Sequence, residues 1–185
     1  MTGGIKMTEK ARKKGINSKQ KGSEYERKIA KLLGTWFKEE FHRVPQSGGL
    51  HWGDDTRVAG DITTHIDSKF PFTVECKKRE GWDLEQLLKG TGDLESWWAQ
   101  AVNDSNRVNM LPMLVFAKNF SPNFIMLQKD AFDKLVSKKV DPIPFNFFVV
   151  AKYGEETRVV CVLESFTQFI TKEEVIEFLP RTDKN

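Results

Sequence analysis

Residues 72–78 read Phe72-Thr73-Val74-Glu75-Cys76-Lys77-Lys78 and predict a β-strand. Side chains two positions apart on a strand project from the same face. Glu75 and Lys77 therefore lie side by side, and Cys76 points into the core. Taken alone, a carboxylate beside an ammonium is more often a solvated strand face than a site.

The preceding strand changes this interpretation. Residues 58–66 also predict a strand, and the short connection around Ser68 makes the two strands an antiparallel hairpin. A hairpin centred on Ser68 places Asp61 opposite Glu75, with about 5 Å between their Cβ atoms. Two like charges at that distance repel each other unless a cation lies between them, and oxygen ligands suit Mg²⁺. The sequence therefore predicts a divalent-metal site at Asp61 and Glu75.

A third acidic candidate lies on the first predicted helix. Ser23-x-x-Glu26 has the form of a capping box and predicts a helix over residues 23–40. Glu26 shares a face with Leu33 and so borders the buried side, whereas Glu24 faces solvent. A capping role for Glu26 and a catalytic role are the two alternatives.

The remaining elements follow from hydrophobic spacing and turn residues. The sequence predicts a short strand at residues 41–44, a loop from 45 to about 58, one broken helix or two helices around 84–102, strands at 111–117 and 124–127, a helix at 129–137, a hairpin of strands at 145–152 and 158–163, and a final helix that opens at Thr171-x-x-Glu174. This mixture predicts an α/β or α+β fold with a mixed sheet.

Composition narrows the function classes. The chain has 185 residues, which fits one soluble domain. Its longest apolar runs are far shorter than the roughly 20 residues needed to cross a bilayer, and the N-terminus has no secretory apolar stretch. The two cysteines, Cys76 and Cys161, make no disulfide framework, and the three histidines have no ligand spacing. We therefore expect a protein of the reducing cytoplasm.

Charge is distributed unevenly along the chain. The net charge is +3, but residues 1–22 carry seven basic side chains and one acidic side chain. The remaining residues are therefore net negative. We predict that residues 1–22 form a flexible basic arm that lies along a phosphate backbone, followed by one domain over residues 23–185. A solubilising tail or a cloning remnant is the alternative interpretation of the arm.

Three motifs in order resemble one nuclease family. Lys21-Gly22-Ser23-x-x-Glu26-Arg27, Gly60-Asp61-Ile62 and Glu75-x-Lys77 are similar to motifs of the PD-(D/E)xK nuclease superfamily. The resemblance is to the archaeal-type Holliday junction resolvases and their phage relatives in particular, over roughly residues 20–120. It implies a restriction-endonuclease-like core of helix, three strands, helix and strand over residues 23–120. The β-rich extension predicted over residues 121–185 lies outside the resemblance.

The resemblance also implies an activity and a set of site residues. The activity is that of a homodimeric, Mg²⁺-dependent endonuclease, with Mn²⁺ able to substitute, that nicks symmetric strands of a four-way DNA junction. Glu26, Asp61 and Glu75 are the implied metal-site acids, and Lys77 is the implied catalytic lysine. The family arginine before the small-residue loop is replaced here by Pro45, with Arg43 two residues earlier, and residues 50–59 resemble an insertion.

Positive and aromatic side chains complete the predicted DNA surface. The residues predicted to bind DNA are Lys21, Arg27, Arg43, Ser47, Lys78 and Arg79, with Lys78 pointing away from Glu75 and Lys77. Trp52 and Trp82 lie in polar contexts and are predicted to stack on exposed bases, whereas Trp36, Trp97 and Trp98 fit apolar stripes of the core.

Two alternatives to junction resolution stay open. One is a restriction- or repair-type nuclease of the same superfamily that acts on duplex or damaged DNA. Its exonuclease branches with a Gln-x-x-x-Tyr pair are disfavoured, because Gln86 is followed by Gly90 at the tyrosine position. The other is a structural DNA-binding module without catalysis, against which the intact Asp61, Glu75 and Lys77 argue.

Overall fold

The structure is a computed structural model that describes residues 18–45, 59–139 and 148–181. In chain order its elements are α1 (Ser18–Phe37), β1 (Phe41–Arg43), β2 (Ile62–Thr64), β3 (Phe72–Lys78), α2 (Leu84–Lys89), α3 (Gly92–Val108), β4 (Leu111–Ala117), β5 (Phe124–Gln128), α4 (Lys129–Val136), β6 (Phe148–Tyr153), β7 (Glu156–Val162), α5 (Leu163–Phe169) and α6 (Lys172–Phe178).

The described strands form one mixed sheet in the order β1-β2-β3-β4-β5-β7-β6. Strands β3 and β4 are parallel, with α2 and α3 in the connection between them, and every other neighbouring pair is antiparallel. Both faces of β3 and β4 are largely buried. The sequence of β4 is a nearly continuous apolar run, as expected for a strand buried on both faces, whereas β3 also buries the polar side chains of Thr73 and Glu75. These observations confirm the predicted α/β fold with a mixed central sheet, and β5, β6 and β7 widen the core sheet.

Helices cover both faces of the sheet. One apolar core joins α1 to the α4–α6 region through residues such as Ile29, Phe132 and Phe166, together with Val74 and Cys76 of β3. The other core joins α2 and α3 to the opposite face through Trp98 and Leu114. This layering is consistent with a restriction-endonuclease-like fold. It also places α1 on the Val74–Cys76 face and α3 on the Glu75–Lys77 face.

Three details of the sequence interpretation are corrected. Helix α1 begins at Ser18, so Ser23 and Glu26 lie inside the helix and the capping box predicted there is wrong. The same pattern at Thr171 does form a capping box with Glu174, at the start of the final helix that was predicted there. Residues 18–22 of the predicted arm are helical, and residues 1–17 lie outside the described ranges. Helix α5, part of which was assigned to a strand, was not predicted.

None of the helices in the described ranges is long and apolar enough to cross a membrane.

Candidate active site

The β2–β3 hairpin brings Asp61 to Glu75 as predicted. Ile62 pairs with Val74, which is the register expected for a hairpin centred on Ser68. The Asp61 backbone N–H donates to the Val74 carbonyl at 2.8 Å, and Asp61 Oδ2 accepts from the Cys76 N–H at 2.8 Å. Asp61 is therefore held beside β3 by both its backbone and its side chain. Asp61 is 9% exposed and Glu75 is 2% exposed.

Glu75 and Lys77 form an ion pair on the face of β3 that α3 covers. Gln100 of α3 contacts both side chains: its Nε2 donates to Glu75 Oε1 at 2.8 Å, and its Oε1 accepts from Lys77 Nζ at 3.1 Å. Gln100 therefore fixes the relative position of the carboxylate and the ammonium. The sequence interpretation missed Gln100. Gln100 borders the apolar stripe of α3, and the same kind of position on α1 was the reason for choosing Glu26.

The electrostatics of the site are those of crowded carboxylates. Burial, together with the charge of Asp61, raises the pKa of Glu75 to about 7, although the hydrogen bond and the charge of Lys77 oppose the shift. Burial also raises the pKa of the Cys76 thiol well above its usual range, with added repulsion from Asp61 and Glu75. Cys76 is therefore a neutral core residue rather than a nucleophile.

Glu26 of α1 forms an ion pair with a basic residue of the edge strand. Its carboxylate forms an ion pair with the guanidinium of Arg43 on β1, and Glu26 is 5% exposed. Among the residues in the described ranges, no group of three or more His, Cys, Asp or Glu side chains could hold a metal ion. The structure thus brings together Asp61, Glu75 and Lys77, and it places Glu26 nearby in a pair of its own with Arg43.

The other predicted DNA-binding residues fall in several places. Lys21, Lys78 and Arg79 are exposed around one groove, and Arg27 is exposed elsewhere on α1. Lys78 points away from Lys77, toward the α1 face, as predicted. Ser47, Trp52 and all but Ala59 of the possible insertion at residues 50–59 lie outside the described ranges.

Trp82 is not a base-stacking residue. It is 5% exposed, and its ring meets Phe116 edge-on at 4.8 Å and Phe124 at 5.7 Å. The prediction that Trp82 stacks on exposed bases is therefore wrong. Its neighbours in the sequence are polar, but in the fold it packs against apolar residues of distant strands. Trp98 is buried as predicted, and Trp36 and Trp97 pack partly buried against the two cores.

Comparison with known proteins agrees with the geometry of this site. Residues 17–177 match the family described as "Phage putative PDDEXK endonuclease". Protein D14 of Escherichia phage T5 is 30% identical over 126 residues, which span 65% of this chain and 76% of that protein. No solved structure matches the chain significantly. With a match across most of its length, the chain belongs to the PDDEXK endonuclease family of phages, which confirms the superfamily that its three motifs predicted.

Proposed function

We propose that this protein is a metal-dependent DNA endonuclease whose active site contains Asp61, Glu75 and Lys77. One observation carries the proposal: two buried carboxylates meet across the β2–β3 hairpin, and a lysine lies directly beside one of them. A purely structural cluster would not need two acids so close that burial and repulsion raise the pKa of Glu75 to about 7.

The donor set fits a hard divalent cation. Carboxylate oxygens are the ligands that Mg²⁺ prefers, and Mn²⁺ accepts the same ligands. Asp61 and Glu75 are the residues that would hold the ion, and the hydrogen bonds that they accept from the Cys76 N–H and from Gln100 Nε2 hold their carboxylates in place. A bound divalent ion supplies charge neutralisation at the scissile phosphate and activation of water.

The protein's own side chains supply the remaining chemistry. Lys77 is 21% exposed, so its ammonium reaches the solvent side of the site while it stays next to Glu75. We assign it to stabilising the negative charge that develops on the phosphate in the transition state. Gln100 orients Glu75 and Lys77 through its two hydrogen bonds. Glu26 is assigned to the third acidic position, with Arg43 balancing its charge.

For the substrate we propose a four-way DNA junction, cleaved by a homodimer. The order of the three motifs, similar to that of junction resolvases, supports this substrate. Geometry supports the dimer: one domain contains one Asp61–Glu75–Lys77 site, whereas resolving a junction takes two nicks on strands related by symmetry. A twofold dimer has two such sites in a fixed relation.

A cleavage assay tests both the proposed endonuclease activity and the proposed junction substrate. Labelled four-way junction, duplex and single strand are incubated with and without Mg²⁺, and Glu75→Gln is the inactive control. We expect Mg²⁺-dependent nicks placed symmetrically on the junction and little cleavage of duplex. Equal or preferred cleavage of duplex would instead favour the restriction- or repair-type alternative. Tight DNA binding by the unaltered chain without cleavage under any divalent metal would favour the non-catalytic module.

A cruciform plasmid separates coupled from independent nicking. A dimer that nicks twice within one binding event converts the plasmid directly to linear DNA. A monomeric nickase accumulates open circles first. Open circles as the main early product, with a monomer in sedimentation, would contradict junction resolution and leave the endonuclease assignment intact.

A further inference from the structure

A groove of about 490 Å³ lies where the N-terminal half of α1 meets the end of β3. We call it the basic groove. Its charged lining consists of four cations and two acids: Lys21, Lys28, Lys78, Arg79, Glu24 and Glu80.

The cations of the basic groove come from one face of α1 and from the end of β3. Lys21, Tyr25 and Lys28 are spaced four and three residues apart on α1, so they share one face of the helix. Lys78 is the last residue of β3, and its Nζ lies 5.9 Å from the centre of the Tyr25 ring. The Arg79 backbone N–H donates to the Ala117 carbonyl at 3.0 Å, which fixes the segment that leaves β3.

The cations of the basic groove lack carboxylate partners among the described residues. Lysines elsewhere are often paired, as in Lys89–Glu85, Lys138–Glu177 and Lys172–Glu39. The two acids of the groove have other contacts: Glu80 accepts from the Asn119 N–H at 2.8 Å, and Glu24 accepts from Gln20 at 3.3 Å. Four cations thus remain available to an anionic ligand.

We propose that the basic groove binds the phosphate backbone of DNA beside the cleaved bond, a proposal that rests on the proposed function for its DNA substrate. Lys77 of the active site and Lys78 of the groove are consecutive, so their Cα atoms are about 3.8 Å apart although their side chains leave opposite faces of the sheet. The groove therefore adjoins the site around the end of β3. Exposed cations from two separate elements suit a run of phosphates rather than one enclosed anion.

The experiment measures DNA affinity against salt concentration. Fluorescence anisotropy of a labelled duplex without divalent metal gives the dissociation constant of the full-length protein at several salt concentrations. The slope of log affinity against log salt is negative, and each lost phosphate contact lowers its magnitude by about 0.9. The double variant Lys21→Gln/Lys28→Gln should therefore lower this magnitude by about 1.8, and Lys78→Gln/Arg79→Gln should give a similar decrease. The matched control is Lys134→Gln/Lys152→Gln, which neutralises two exposed lysines outside the groove. We expect its slope to equal that of the unaltered protein.

Duplexes with 5′-phosphate and 5′-hydroxyl ends distinguish the two sources of phosphate. An equal decrease on both duplexes supports contact with backbone phosphates, whereas a decrease only on the phosphorylated duplex would overturn the proposal in favour of a terminal phosphate. Slopes unchanged in both groove variants, or lowered equally in the control, would also overturn it. Cleavage by the unaltered protein is measured in parallel. If it does not cleave any DNA, the proposed function fails while the slopes still decide the groove.

Discussion

Glu26 of α1 and Arg43 of β1 form an ion pair that joins the first helix to the edge of the sheet. Side-chain exposure is 6% for Glu26 and 17% for Arg43. Because the carboxylate is buried and the guanidinium is its charged partner, removing Arg43 leaves an uncompensated charge in the interior.

We expect Arg43→Ala to lower the free energy of unfolding by about 3 kcal/mol, the lower end of the range for breaking a buried ion pair, since Arg43 retains some exposure. Urea denaturation monitored by circular dichroism measures this loss. Arg27→Ala is the control. Arg27 is exposed on α1, the helix that contains Glu26, and its substitution should change stability by less than about 0.5 kcal/mol. A loss no larger in Arg43→Ala than in the control would mean that the ion pair has no structural role.

The raised pKa of Glu75 predicts how stability depends on pH. The folded protein holds the Glu75 proton up to about pH 7, whereas a glutamate in the unfolded chain releases it near pH 4.3. Protons therefore favour the folded state between these values. This stabilising contribution is fully present below about pH 4 and is lost as the pH rises through 7. In metal-free buffer, the stability of Glu75→Gln relative to that of the unaltered protein should increase from pH 5 to pH 8. A constant difference over this range would contradict the raised pKa.

Metal binding should offset the loss of stability that the deprotonated Glu75 causes. We expect saturating Mg²⁺ to stabilise the unaltered protein at pH 8, by about 2.7 kcal/mol at a concentration 100 times the dissociation constant. Because Glu75 must lose its proton to coordinate, Mg²⁺ affinity should fall about tenfold for each pH unit below 7. Thermal unfolding at several Mg²⁺ concentrations measures both effects. Glu24→Gln, an exposed acid on α1, should keep the full Mg²⁺ response, and Glu75→Gln should lose it. An equal stabilisation of Glu75→Gln by Mg²⁺ would mean that the ion binds elsewhere on the protein.

Local patterns predicted the hairpin and its acids well. Strands β3 and β4 have the bounds expected from residues 72–78 and 111–117. For β4 the reason is its long apolar run, which is a strong local signal. A hairpin with a short connection has few possible registers, so the turn around Ser68 was enough to place Asp61 beside Glu75.

The sequence interpretation missed features that a short stretch of sequence does not determine. Ser23-x-x-Glu26 and Thr171-x-x-Glu174 have the same pattern, yet only Thr171 has the extended backbone of an N-cap, and the pattern itself does not fix that conformation. Trp82 is buried by aromatic rings from β4 and β5, which no local window contains.

Gln100 offers the sharpest test of how the site is organised. It contacts Glu75 and Lys77 but is assigned no contact with substrate, so it acts as a positioning residue. Substitutions of residues that orient metal ligands commonly cost 10- to 100-fold in affinity or activity. We therefore expect Gln100→Ala to lower Mg²⁺-dependent cleavage by about 10- to 100-fold, with Gln168→Ala, an exposed glutamine on α5, as the unchanged control.

A merely structural role for Gln100 would give a different result. If Gln100 only stabilised α3, Gln100→Ala would lower the melting temperature and leave the Mg²⁺ dependence of cleavage unchanged. If it positions Glu75, the variant needs more Mg²⁺ for half-maximal rate, because a carboxylate without its Nε2–H donor is no longer held toward the metal. Gln100→Glu should lower the stability of the metal-free protein more than Gln100→Ala does, since it places another acid beside Glu75. Stability and Mg²⁺ requirement measured on the same preparations therefore separate the two roles.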